Sequence, residues 1–186
     1  MAKSTNLMSV TEWINNCFGV EMKEPALEGI KDFSLIWNVF EDHVCCNNFC
    51  IGKVQKLIAK RHFNPDFFTT HFNYFKNSYV RDGKINDVFT SLNFRPGDRE
   101  EFVSLVLLGK LADIKDILLT IEIIVYRFRC NLFHGHKDIK VIDQQQKNFE
   151  TANLFLMSFL DQYLGKKEPF SKQGPDSKNQ NLICSC

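Results

Sequence analysis

The stretch RFRCNLFHGH, residues 127–136, places two arginines, an asparagine and two histidines directly after an apolar run. At about 100° per residue in a helix, Arg127, Asn131 and His134 project within roughly 40° of one another. Arg129 lies about 140° from His134, but a long arginine side chain can swing across at a helix end. One helix end would therefore offer an imidazole, an amide and guanidinium groups close together.

These residue types can cleave a phosphodiester bond without a metal ion. Arginine binds phosphate through a planar fork of N–H groups and keeps its charge. Histidine takes or gives a proton near neutral pH, so it can serve a 2′-hydroxyl nucleophile or a leaving oxygen. The arginine would stabilise the charge at phosphorus. The same residue types also fit a second interpretation, in which they cap the exposed carbonyls of a helix end.

The element that must carry this cluster is a long helical segment. The chain lacks proline between residues 98 and 133 and is apolar on most sides there. Asp98, with Glu101 three residues later, predicts a capping box at the start. Gly109 marks a bend or break, and Gly135 is the αL residue that we expect to end the helix.

The rest of the chain repeats apolar residues at steps of three and four, as one face of an α-helix does. We therefore predict an all-α fold, a helical bundle of about five to seven helices. We assign residues 1–165 to this single domain and expect the polar segment 166–186 to be a disordered tail. The stretch RDGK, residues 81–84, predicts a turn.

Composition limits the classes of function. Lys plus Arg number 23 and Asp plus Glu 22, so a site for a polyanion must come from a local patch. The 18 phenylalanines predict a large aromatic core or an apolar surface for a partner. We expect no membrane contact, because charges interrupt the most apolar stretch, residues 102–125. The charged residues that interrupt this stretch are Lys110, Asp113, Lys115, Asp116 and Glu122.

The seven cysteines include no CxxC pair, and the N-terminal residues lack the apolar core of a signal peptide. We therefore expect free thiols and a cytoplasmic location. The stretch HVCCNNFC, residues 43–50, contains metal-binding residue types but lacks the paired short spacing of a zinc site. We predict no metal ion and no other cofactor.

Two further features could assist the cluster. Glu41 ends an early helix, and its carboxylate would either orient His134 or contact Arg129, or it would belong to a solvated helix end. A basic stripe at steps of three and four would either track an RNA backbone or form a solvated helix face. The stripe consists of Lys53, Lys56, Lys60 and Arg61.

The segment Arg129-Cys-Asn-Leu-Phe-His134-Gly135 resembles the motif of the HEPN superfamily, the "higher eukaryotes and prokaryotes nucleotide-binding" domains. That motif is an Arg, a spacer of four to six residues and a His, on a late helix of a small all-helical bundle. Arg127 also fits the spacing, but RxNLFHG favours Arg129 because it is similar to the family's common RNNLFHG form. Cys130 departs from the pattern, which usually has a polar residue there, and Asn131 would serve instead.

The resemblance implies a metal-independent endoribonuclease whose substrate is RNA. Arg129 would contact the phosphate, His134 would act as acid or base, and Asn131 would position one of them. The residues expected to help bind the RNA are Arg127, His136 and Lys137.

The resemblance also implies partners. Such domains act as homodimers in which both motifs meet in one cleft across the two-fold axis. Many are toxins or effectors in prokaryotic defence and abortive infection, so an antitoxin or a defence-system partner is expected. Some are inactive, and the alternative hypothesis is therefore a non-catalytic module that binds a nucleotide or a partner. In a third hypothesis the chain is an antitoxin-like or scaffolding bundle and the motif is a helix cap.

Overall fold

A computed structural model describes residues 8–134, 142 and 145–165. The predicted all-α helical bundle is confirmed, since helices make up most of this part of the chain. Its α-helices are α1 (Val10–Phe18), α2 (Glu24–Cys45), α3 (Ile51–Lys60), α4 (Thr69–Tyr79), α5 (Glu100–Leu107), α6 (Ile114–Phe133) and α7 (Gln146–Tyr163). Two 3₁₀ helices, Pro65–Phe67 and Asp87–Leu92, and two short strands, β1 (Val80–Arg81) and β2 (Lys84–Ile85), connect them.

Helix α6 lies at the centre of the bundle. Its residues from Leu118 to Val125 are all buried, and α3, α4 and α5 pack against it, while α2 packs along α7. Aromatic rings fill the space between the layers: the ring centroids of Phe33 and Phe149 are 5.1 Å apart and those of Phe40 and Phe159 are 5.7 Å apart. The many phenylalanines therefore build an aromatic core.

The expected break at Gly109 divides the long helical segment in two. Gly109 has a φ of +74°, in the left-handed region that glycine adopts without strain, and it follows the end of α5 at Leu107. Helix α6 then begins afresh at Asp113, whose side chain accepts a hydrogen bond of 2.8 Å from the backbone N–H of Lys115. The helix that carries the candidate cluster thus has its own N-cap.

The predicted capping box at Asp98 is wrong. The N-cap of α5 is Arg99, which makes no side-chain capping bond. The Asp98 carboxylate accepts hydrogen bonds of 2.8 Å from the backbone N–H of Arg95 and from Nη1 of Arg127 instead. A buried guanidinium without a carboxylate would cost far more than an uncapped helix end, so Asp98 faces inward.

The predicted turn at residues 81–84 is confirmed. Val80 pairs with Ile85 and Arg81 with Lys84 in an antiparallel hairpin. Its two turn residues, Asp82 and Gly83, have φ values of 53° and 71°, as a tight hairpin turn requires.

In the described part of the chain, no helix has the length and apolar character needed to cross a membrane. The expected helix end at Gly135 and the expected tail 166–186 lie outside the described residues.

Candidate functional site

Arg127 is a fully buried cation, with 0% of its side chain exposed. Its Nε donates to the carbonyl of Leu92 at 3.0 Å, Nη1 donates to Asp98 Oδ2 at 2.8 Å, and Nη2 donates to the carbonyl of Asn93. These contacts bind the end of the 3₁₀ helix and the loop before α5 to α6. Arg127 therefore anchors the chain that packs beside the end of α6.

Asn131, one turn later, binds the same segment. Its side-chain Nδ2 lies 3.1 Å from the carbonyl oxygens of both Ser91 and Leu92. Its Oδ1 accepts a hydrogen bond of 3.4 Å from Nη2 of Arg127. Asn131 is buried as well. The two side chains thus share one face of α6, as their spacing predicts, and that face points into the protein.

This placement departs from the roles expected of both residues. Burial leaves Arg127 no surface on which an RNA phosphate could lie, although we expected it to help bind RNA. The Asn131 side-chain amide donates to backbone carbonyls, although we expected this residue to assist catalysis. The physical reason is that α6 is covered on the side of the 3₁₀ helix right up to its last turn, which helical spacing alone does not reveal.

Arg129, which is half-buried, and His134, which is exposed, lie near the same end of α6. The Arg129 guanidinium carbon is 5.6 Å from the centre of the Phe133 ring, which is itself 55% exposed. His134 is exposed and forms the C-cap of α6, its backbone N–H donating to the Cys130 carbonyl at 3.0 Å. Within the described ranges neither side chain makes a hydrogen bond or an ion pair. The Arg129 cation suits the partial negative charge of a helix C-terminus.

Glu41 lies further back along α6 than expected. Its carboxylate accepts hydrogen bonds from the Trp37 indole N–H at 2.8 Å and from the Phe49 backbone N–H at 3.3 Å. Phe49 stacks on Tyr126 with ring centroids 4.3 Å apart. Tyr126 precedes His134 by about 12 Å of helix, so Glu41 supports the loop after α2 and does not reach the imidazole.

His136 and Lys137, which we expected to help bind RNA, lie outside the described residues. Within the ranges that the structure covers, no group of three or more His, Cys, Asp or Glu side chains is arranged to hold a metal ion.

From the sequence we expected Glu122 only to interrupt an apolar run, and we did not expect an acid inside the core. Glu122, on α6, is fully buried, and neither of its carboxylate oxygens has a hydrogen-bond partner among the described residues. Burial without a partner raises the pKa of Glu122 well above its ordinary value. The single acid inside the apolar run ILLTIEIIV could have predicted a buried carboxyl. No sequence pattern predicts the Asp98–Arg127 pair, because the two residues are far apart in the chain.

Comparisons of this chain with protein-family models, curated proteins and solved structures found no match.

Proposed function

We propose that this protein is a metal-independent endoribonuclease of the HEPN type. The observation that carries the proposal is the division of the motif at the end of α6. Arg127 and Asn131 fix the helix end from the inside, while the half-buried Arg129 and the exposed His134 reach the surface near the same end of α6. The resemblance of RCNLFHG to the HEPN motif selects the same Arg and His.

In this proposal the attacking group is the RNA 2′-hydroxyl. His134 removes its proton, and the oxygen attacks the adjacent phosphorus while an acid protonates the departing 5′-oxygen. Arg129 stabilises the negative charge on the phosphate oxygens. The products are a 2′,3′-cyclic phosphate and a free 5′-hydroxyl, and the step consumes no water and no cofactor.

The mechanism favours a homodimer. Base and acid must act on opposite sides of phosphorus, which one imidazole does poorly and two related by a two-fold axis do well. Two copies of the α6 end facing each other would supply both imidazoles and both guanidiniums. The cellular role that fits is a cytoplasmic toxin or effector in defence, controlled by an antitoxin or another defence-system partner.

The second candidate function is a non-catalytic module that binds a nucleotide or a partner. It is favoured by the internal use of Arg127 and Asn131, which leaves Arg129 and His134 as the described polar side chains of the motif at the surface. An Arg and a His at the surface suffice to hold a phosphate without cleaving RNA.

Incubation of purified protein with labelled RNA in EDTA separates the two. We expect cleavage to 2′,3′-cyclic phosphate ends and a rate that is about 10²–10⁴-fold lower in His134→Ala. His43→Ala, which changes an exposed histidine on α2, is the matched control and should cleave like the wild type. Undiminished cleavage by folded His134→Ala would reject this site. RNA binding without cleavage, in a protein shown to be a folded dimer, would favour the binding module.

A further inference from the structure

A basic cleft lies between α3 and the end of α7, away from the candidate active site. It is lined by Lys53, Lys56, Lys60, Arg61 and Tyr163, together with Leu57, and it has a volume of about 370 Å³. Among the described residues, no acidic side chain lines it. The cleft is large enough for part of a small polar ligand or a short length of polymer.

The guanidinium of Arg61 is held in place at this cleft. Its Nη1 donates to the backbone carbonyl of Tyr163 at 2.6 Å, and its Cζ lies 4.0 Å from the centre of the Tyr163 ring. The remaining N–H groups of the fork have no other bond among the described residues. A cation fixed in this way binds an anion at a lower entropic cost than a free side chain does.

Within the part of the chain that the structure describes, no acidic side chain pairs with the cations of the cleft. The ion pairs found within the described ranges all involve other residues, and the chain as a whole carries a formal charge of only +1. At the start of α3 the backbone N–H groups of Lys53 and Gly52, with the charges of Lys53 and Lys56, lower the pKa of the exposed Cys50 thiol. The backbone N–H groups at the start of α3 are the main cause of this lower pKa, and the lysine charges act in the same direction.

The cations form a row that extends along α6. Helix α3 runs antiparallel to α6, because Lys115 near the start of α6 donates to the Ala59 carbonyl at 3.1 Å, while Phe49 stacks on Tyr126. Lys53 therefore lies towards the His134 end of α6 and Lys60 towards the other end. The row spans about 10 Å of helix, which suits a series of phosphates better than a single one.

We propose that this basic cleft binds the phosphate backbone of single-stranded RNA, several nucleotides away from the bond that is cleaved. The inference rests on the proposed ribonuclease function, because RNA is the polyanion which that function brings to the protein. The Tyr163 ring already carries Arg61, so the cleft contributes charge more than base stacking and should accept any base sequence.

The test measures binding of a short fluorescent single-stranded RNA by anisotropy in the His134→Ala background, where cleavage does not interfere. The double change Lys56→Ala and Lys60→Ala should weaken binding about tenfold or more. The slope of the logarithm of the binding constant against the logarithm of the salt concentration should become shallower by about 0.7 per lysine. The control pair, Lys23→Ala and Lys84→Ala, removes the same charge from exposed sites elsewhere and should bind like the parent. Circular dichroism checks that both variants fold.

Equal affinity of the two double variants would overturn the cleft as an RNA site. The proposal would also be overturned if inorganic phosphate displaced the fluorescent RNA at the same concentrations as unlabelled RNA does. That result would show that the cleft binds a single anion and not an RNA backbone. Because this assay requires no catalysis, its failure is distinct from that of the proposed function, which fails if the wild type does not cleave RNA in EDTA.

Discussion

At the scale of single residues, neighbours on α6 have opposite environments. Arg127 and Arg129 differ by two positions, about 200° around the helix, so Arg127 faces the core and Arg129 is only half-buried. Arg127 pairs with the Asp98 carboxylate and donates hydrogen bonds to backbone carbonyls. Arg129 packs on the exposed ring of Phe133. Of these two arginines, only Arg129 reaches the surface.

Removing Arg127 should therefore destabilise the fold. We expect Arg127→Ala to lower the free energy of unfolding by about 3–5 kcal/mol, because the change leaves the Asp98 carboxylate unpaired in a nearly buried position. The matched control is Arg129→Ala, two positions later on the opposite side of α6. It should change the free energy of unfolding by no more than about 0.5 kcal/mol. Urea unfolding followed by circular dichroism measures both, and equal losses in the two variants would contradict this assignment.

Glu122 should make stability depend on pH. Its folded pKa is raised above the ordinary value of 4.5, so the unfolded chain releases a proton that the folded protein keeps. The stabilisation is thus complete below pH 4.5 and is lost as pH rises towards the folded pKa, by up to about 1.4 kcal/mol per pH unit. Glu122→Gln should remove this dependence and gain stability relative to the wild type as pH rises.

Unfolding free energies measured across the range from acid to neutral pH check the prediction. Glu21→Gln, a change at an exposed carboxylate, should follow the wild-type curve. Parallel curves for wild type and Glu122→Gln would show that the buried carboxyl has an ordinary pKa.

At the scale of elements, periodicity and turn residues predicted most of the fold. The break at Gly109 and the hairpin at Asp82 and Gly83 follow from local backbone preferences, which a sequence displays directly. The role of Asp98 does not, because its partner on α6 comes from a distant part of the chain. Capping preference is a local tendency, and a buried charge in need of a partner outweighs it.

The candidate site was predictable to the same extent. Helical spacing correctly placed Arg127 and Asn131 on one face, where they contact each other. It could not tell whether that face was buried, since α6 is apolar on most sides and any face can meet a neighbour. The expectation for Glu41 was limited in the same way, because the position of α2 along α6 depends on packing of the Trp37 and Phe49 rings.

The 3₁₀ helix Asp87–Leu92 should loosen when its anchor on α6 is removed. Asn131→Ala deletes the bonds to the carbonyls of Ser91 and Leu92 and should cost about 1–3 kcal/mol. Hydrogen exchange should show faster exchange in the peptide covering residues 87–93, with His134→Ala as the control that leaves it unchanged. Equal protection in both variants would mean that other contacts hold this segment.

At the scale of the whole molecule, one copy of α6 presents one exposed imidazole and one half-buried guanidinium near its end. If two copies form the active site, the cleavage rate per protomer should fall with dilution below the dimer dissociation constant. Sedimentation velocity locates that constant, and initial rates over the same concentrations test the coupling. A rate per protomer that stays constant where the protein is monomeric would show that one chain suffices.

The most direct test of the account is the cleavage rate of Arg129→Ala in EDTA, measured beside its free energy of unfolding. The account predicts a rate about 10²–10³-fold below that of the wild type, in a protein that remains folded, because Arg129 acts on the phosphate and within the described residues packs only on the exposed Phe133 ring. Lys84→Ala, an exposed cation on β2, should cleave normally. A folded Arg129→Ala that cleaves RNA as fast as the wild type would contradict the central claim.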